Sequence, residues 1–193
     1  FPYTIGIEAA GVVEKIGRAV TNYKAGERIT FVNAMQPKGG TWAEYTVVAD
    51  GSLILRIPES MSFETAAAVP VAGNTAIKAF RALDLQPGDS LFIAGGSGAI
   101  GTLAIQIAAA RGYRVAASAS AKNHQYMRSL GAEKVVDYHD NDWQEQIAER
   151  YPGGVDAAIA TQPGTASDSQ AVVKDGGEIV AVSGDQFVPV RGI

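Results

Sequence analysis

The chain has 193 residues, 47% hydrophobic and 19% charged, an ordinary globular composition with room for one large domain or two small ones. Sixteen Lys and Arg against 20 Asp and Glu leave a net charge of −4, and with no basic run there is no electrostatic footprint for nucleic acid or an anionic membrane. The absence of cysteine excludes disulfides, thiolate nucleophiles, Fe–S clusters and thiolate zinc sites, and it fits a reducing, cytoplasmic compartment.

The first third of the chain reads as strands. Residues 7–16, 28–32, 42–48 and 53–57 are rich in β-branched and aromatic side chains. Turn residues separate them at 25–27, 37–40, 50–51 and Pro58. Several short strands of this kind predict a barrel or sandwich. At Ser62 the period changes. A weak capping box, Ser62-Phe63-Glu64-Thr65, opens a helix over 63–69 that Pro70 ends. A second helix is predicted over 73–83.

From Ser90 onward strands alternate with helices. Strands are predicted at 91–94, 114–118, 135–137, 155–160 and 178–182, and helices at 100–111, 123–130, 142–150 and 167–173. That alternation calls for a parallel sheet covered on both faces, with right-handed crossovers. No residue between Asp89 and Arg111 is charged, and the stretch is long enough to span a bilayer. Its cluster of Gly95, Gly96, Gly98 and Gly101 instead marks a strand, a turn and a buried helix.

That stretch carries the chemistry. Gly96, Gly98 and Gly101 form a G-x-G-x-x-G pattern between strand and helix, in a βαβ unit of about thirty residues. Gly96 would permit the tight turn, Gly98 the approach of a pyrophosphate, and Gly101 close packing of helix on strand. The helix start, with Ser97, Ala99 and Ile100, offers free N–H groups and a positive dipole end to the phosphates. An NAD enzyme places Asp or Glu about twenty residues on, for the ribose 2′-hydroxyl. Here the run 116–122 has no acid, whereas Ser118, Ser120 and Lys122 could serve a 2′-phosphate. Ser120 also suits a helix N-cap, a role compatible with the first. His124 and His139 are the only histidines. They read as surface residues without a nucleophile at a useful spacing.

Four blocks together resemble the zinc-free quinone oxidoreductases of the medium-chain dehydrogenase/reductase family. They are residues 6–17 (GIEAAGVVEKIG), 39–45 (GGTWAEY), 67–76 (AAVPVAGNTA), and the glycine loop continuing to 130–138 (LGAEKVVDY). The resemblance implies an α/β protein: part of a GroES-like β-barrel domain over 1–70, then a Rossmann doubly wound parallel sheet binding NADPH over 71–193. Members are longer, so the chain, which opens inside a motif and stops after a strand-like run, reads as part of a longer protein. No basic segment followed by an apolar run, of the kind a signal peptide carries, is visible at the start of the sequence.

The resemblance places Thr75 near the nicotinamide, where a helix-start role is the alternative. It places Lys122 and Tyr138 near the 2′-phosphate; Asn123 competes with Lys122 for register, and Tyr138 equally suits a core aromatic. Val182 and Ser183 would line the cofactor cleft. Gln162-Pro163-Gly164 stands where the family has Val-Gly, which leaves that loop without an expected cofactor role. Zinc relatives carry Gly-His-Glu in the first block. Ile7 holds the histidine position and cannot ligate a metal, and Glu8 alone is no site.

The implied activity is NADPH-dependent reduction of a quinone or α,β-unsaturated carbonyl without metal, with no membrane or nucleic-acid partner and a possible homodimer. A non-enzymatic NADPH-binding sensor or scaffold and a trans-acting enoyl reductase are the alternatives. No residue is assigned as general acid.

Overall fold

A computed structural model describes residues 4–33 and 40–193. The chain divides into two compact units, Phe1–Asn74 and Thr75–Ile193.

In the first unit β1 (Glu8–Val12), β2 (Arg28–Val32) and β3 (Ile54–Arg56) form an antiparallel sheet in the order β1-β2-β3. The strand expected over 7–16 is five residues long because β2 offers only five partners, Glu8 facing Val32 and Val12 facing Arg28. The strand expected over 42–48 does not form. Trp42 N donates to Ile5 O at 2.9 Å, but Ala43 N turns back to Thr41 O. An alternating run becomes a strand only where a partner edge takes its bonds. The turn expected at 37–40 lies, apart from Gly40, outside the described residues.

Helix α1 (Phe63–Ala67) starts as expected at Ser62, whose hydroxyl accepts from Thr65 N at 3.2 Å. Pro70 does not end that helix but opens α2 (Pro70–Arg81), the first-turn position where a missing N–H costs nothing. Arg28 fastens the link between β3 and α1 to the sheet. Its guanidinium donates to Pro58 O, Glu59 O and Met61 O and lies 4.5 Å over the Phe63 ring.

The second unit continues with β4 (Ser90–Ala94), α3 (Ala99–Ala110), β5 (Arg114–Ser118), a 3-10 turn (Ala121–Asn123), α4 (His124–Ser129), β6 (Lys134–Val136), α5 (Trp143–Arg150), β7 (Val155–Ala160), α6 (Thr165–Ser169) and β8 (Val173–Ala181). Its five strands are all parallel, in the order β6-β5-β4-β7-β8. Every residue of β4 is buried, as a strand covered on both faces must be. Leu91 and Ile93 pack with Phe80, Ala104, Ile105 and Met127 on one face. Phe92 and Ala94 pack with Ala116, Ile147 and Tyr151 on the other. The uncharged stretch after Asp89 is thus strand, turn and a 12-residue helix. Among the described residues no helix is long and apolar enough to cross a membrane.

The C-terminal end departs from expectation. The helix predicted at 167–173 is α6, earlier and shorter, and the strand predicted at 178–182 starts at Val173. A register shift opposite Val155 and Ala157 absorbs the extra residues of β8 around Gly176, whose φ is +70°. The bottom of the sheet is tied by Asp156. Its carboxylate accepts from Ser90 N and Oγ at 2.7 and 2.6 Å and from Lys174 Nζ at 2.6 Å. Burial pushes the Asp156 pKa up, but the Lys174 and Ser90 donors outweigh it and hold the carboxyl down at about 2.

Candidate dinucleotide site

The sheet order reverses between β4 and β7, and the crevice outside the carboxyl ends of strands at such a point is where α/β folds bind ligands. A cavity of about 500 Å³ lies there, walled by the loop after β4, the end of β5 and the loop after β7.

The glycines of the first loop divide the work differently from the sequence expectation. The tight turn belongs to Gly95, with φ of +78°, not to Gly96. Gly96 is glycine because a Cβ there would lie 2.6 Å from Met127 Sδ and 2.9 Å from Ala117 Cβ in the core. Gly101 keeps the role expected of it: a Cβ would strike Gly95 O and come within 2.7 Å of Gly96 Cα. Gly98 is the informative one. Its φ is −75°, and a Cβ would meet only Gly95 O at 3.4 Å and Gln162 Nε2 at 3.6 Å, ordinary contact distances. Neither backbone strain nor protein packing requires glycine there, and the position lines the cavity. As N-cap of α3 it brings no side chain to the first-turn amides, so those of Ala99 and Ile100 are left for an outside acceptor.

The loop is tied to the end of β5. Ser118 O accepts from Gly96 N at 2.8 Å, and the buried Ser118 hydroxyl accepts from Gly95 N at 3.3 Å. Ser97 Oγ accepts from Asn123 Nδ2 at 3.1 Å. Asn123 is therefore turned to the loop, whereas Lys122 is exposed and has no partner among the described residues. Ser120 holds the N-cap place of the 3-10 turn, but its side chain does not cap it. The Ala121 amide goes instead to Asp137 Oδ2 at 2.7 Å. That leaves the Ser120 hydroxyl 3.3 Å from Tyr138 OH. Tyr138 is 53% exposed, so it is no core aromatic. Asp137 also accepts from His139 N, which with the other bonds it takes from His139 and Ala121 holds its carboxyl below the usual range. This acid serves backbone and imidazole and does not line the cavity.

Of the residues expected from sequence, the structure brings Ser97, Gly98, Ser118, Ser120 and Tyr138 to the cavity wall. Gly96 and Gly101 stand behind it as packing glycines, and Ala99 and Ile100 begin the helix beside it. Lys122 lies just beyond Ser120. Thr75 in α2 and Val182 at the end of β8 do not line the cavity. Neither does Ser183, whose buried hydroxyl finds no partner among the described residues. Sequence reasoning missed Gly95, Gln162 and Trp143, the last stacked on Phe92 at 5.6 Å. Gly95 had a signal in its doublet with Gly96, and Gln162 stood at the family's Val-Gly place, where its departure from that pair counted against it.

Two family models match the chain, the "alcohol dehydrogenase GroES-like domain" over residues 1–59 and the "zinc-binding dehydrogenase" over residues 99–190. The NADPH-dependent alkenal/one oxidoreductase of Arabidopsis thaliana, chloroplastic, is 34% identical over 191 residues, which is 95% of this chain and 47% of that protein. The quinone oxidoreductase of Coxiella burnetii superposes with a TM-score of 0.83 at 31% identity, covering 94% of this chain and 56% of that one. A mycobacterial protein solved in complex with NADPH superposes with a TM-score of 0.82 at 26% identity, covering 97% and 60%. The chain belongs to the medium-chain dehydrogenase/reductase family. It spans about half the length, or less, of the curated relatives it matches.

The described residues do not fit a family zinc. Among them no group of three or more His, Cys, Asp or Glu could hold a metal ion. Ile7 stands at the ligand place, and Glu8 Oε2 already accepts from Val71 N at 2.8 Å. The loop at Gly98 does fit a dinucleotide, being a cradle that a Cβ would fill.

Proposed function

We propose that the protein is an NADPH-dependent, zinc-independent oxidoreductase of this family that reduces a quinone or an α,β-unsaturated carbonyl. One observation carries the cofactor reading: Gly98 faces the cavity with nothing among the described residues requiring glycine, beside uncapped first-turn amides. The relatives' activities support the substrate class. When bound, the nicotinamide supplies the hydride. The residues of this chain would hold the dinucleotide. The amides of Ala99 and Ile100 would donate to the pyrophosphate, and Ser118, Ser120, Tyr138 and Lys122 would gather at the ribose.

The preference for NADPH rests on the end of β5. The run from Ala116 to Lys122 carries no carboxylate, the neighbouring Asp137 is engaged by the Ala121 amide and by His139 and does not line the cavity, and Lys122 has no acidic partner among the described residues. Without a Lewis acid to polarise a simple ketone, hydride acceptance at carbon conjugated to a carbonyl, or at a quinone, is the fitting chemistry.

The test is cofactor affinity, followed by fluorescence on the full-length protein. Gly98→Val is expected to weaken NADPH binding by at least about tenfold, or about 1.4 kcal/mol, with an unchanged melt in the absence of cofactor. Lys122→Ala should narrow the gap between NADPH and NADH, a charge-assisted contact being worth about 1.5–3 kcal/mol. Native affinity in the folded Gly98→Val protein would sink the dinucleotide reading. Equal affinity of the native protein for the two cofactors would sink the preference.

A further inference from the structure

The loop after β7, left without a role by its departure from the family pattern, sits on the glycine loop. Thr161 Oγ1 donates to Ala94 O at 2.7 Å, so the chain leaves β7 pinned to the end of β4. Gln162 O then accepts from Thr165 Oγ1 at 2.7 Å and from Thr165 N at 3.2 Å. Gly164, at φ +84°, donates its N–H to Asp185 Oδ2 at 2.6 Å. Both flanks of Gln162 are therefore held. Its side chain is not: the carboxamide has no hydrogen-bond partner among the described residues, and it lines the cavity.

Its position is specific. A Cβ built on Gly95 would lie 3.0 Å from Gln162 Cγ, and one built on Gly98 would lie 3.6 Å from Gln162 Nε2. The amide nitrogen thus stands over the surface that Gly98 leaves open. Whatever lies against Gly98 is within reach of two N–H donors. The charge inventory adds a second reason. Among the described residues no Lys or Arg lines the cavity, and its ionisable side chains are Asp168 and Tyr138. An anionic group entering here must be held by neutral donors, and among the described residues Gln162, like the Trp143 indole, brings a long donor with no partner.

We infer that Gln162 is a positioning residue that donates its side-chain N–H to the pyrophosphate of the bound dinucleotide, clamping it onto the glycine loop from the side opposite the α3 amides. The inference rests on the dinucleotide reading above. A glutamine suits the place because it donates without a charge of its own, whereas a carboxylate there would oppose the phosphates.

The experiment measures NADPH and 2′-AMP binding by calorimetry on full-length native, Gln162→Ala and Gln162→Glu proteins, each with a melt in the absence of ligand. 2′-AMP keeps the adenosine and its 2′-phosphate but has no pyrophosphate. Gln162→Ala is expected to weaken NADPH by about fivefold or more, and Gln162→Glu by at least about tenfold. Affinity for 2′-AMP and the melts should stay native, since Gln162 is exposed. NADPH affinity unchanged in Gln162→Glu overturns the clamp alone and leaves the dinucleotide reading standing. Equal loss of NADPH and 2′-AMP also overturns it, since Gln162 would then only shape the pocket. Failure of the folded native protein to bind NADPH overturns both readings.

Discussion

The two units use apolar side chains in opposite ways. In the second, the central strands are buried on both faces, with Leu91, Ile93, Val115, Ile159 and their alanine neighbours fully out of solvent. In the first, buried residues such as Ile29, Phe31, Ile57 and Ala66 make a small core. Trp42 and Tyr45 are each 76% exposed there, and Val12 and Val47 stand mostly in solvent. A groove of about 580 Å³ runs along that sheet, lined by β1, β2 and residues around Tyr45. In the second unit, Thr75–Ile193, the central sheet is covered while Val188 and Val190 beyond β8 stand in solvent, whereas in the first unit the described three-stranded sheet itself leaves apolar side chains uncovered. A parallel sheet gains helices on both faces from its own crossovers.

The largest test of that contrast is one aliphatic truncation in each unit. Ile93→Ala in β4 should cost about 2–5 kcal/mol, read by chemical denaturation. Leu55→Ala in β3, where the side chain is 45% exposed, should cost less than about 1 kcal/mol. Similar losses at the two positions would break the comparison.

Acid sharpens it next. The folded Asp156 pKa, about 2, lies below its ordinary 3.8. Its contribution is therefore present above pH 3.8 and lost as pH falls through about 2. A shift of that size corresponds to about 2 kcal/mol. Asp156→Asn should lower the second unit's stability at neutral pH and flatten its dependence between pH 5 and 2. In the first unit the corresponding fastener is Arg28, bonded to three carbonyl oxygens, and a guanidinium does not titrate in that range. A native pH profile in Asp156→Asn would remove the carboxylate from the account.

The smallest effect is expected at the surface. Arg150 and Glu133 pair at 2.8 Å with both side chains more than a third exposed. Glu133→Gln should move the melt by less than about 1 kcal/mol, because the second unit stands on its core and not on exposed charge. A larger loss would place that pair among the groups that hold the sheet.

Local chemistry made much of this protein readable from its sequence. The glycine spacing between an apolar run and an alanine-rich run marked β4, its turn and α3, because strand, turn and helix propensities all agreed there. The acid-free run from Ala116 to Lys122 was legible because a carboxylate is either present or not, and Ser62 announced α1 through its own cap. What depends on a partner was not legible. The run 42–48 has strand composition, yet no described strand edge takes its bonds. Pro70 could end one helix or open the next, and only the chain path chose. Gly95, Gly96 and Gly98 look alike in sequence; the first is set by its φ, the second by Met127 and Ala117, and the third by neither. Gln162 stood out only as a departure from the family's Val-Gly, which counted against a cofactor role, since its place over Gly98 exists only because β7 lies beside β4. Sequence determined which segments could be strand, turn and helix, through propensities that act over a few residues. Tertiary structure decided which of them found a partner, because hydrogen-bond edges, packing contacts and cavity walls are made by residues far apart in the chain.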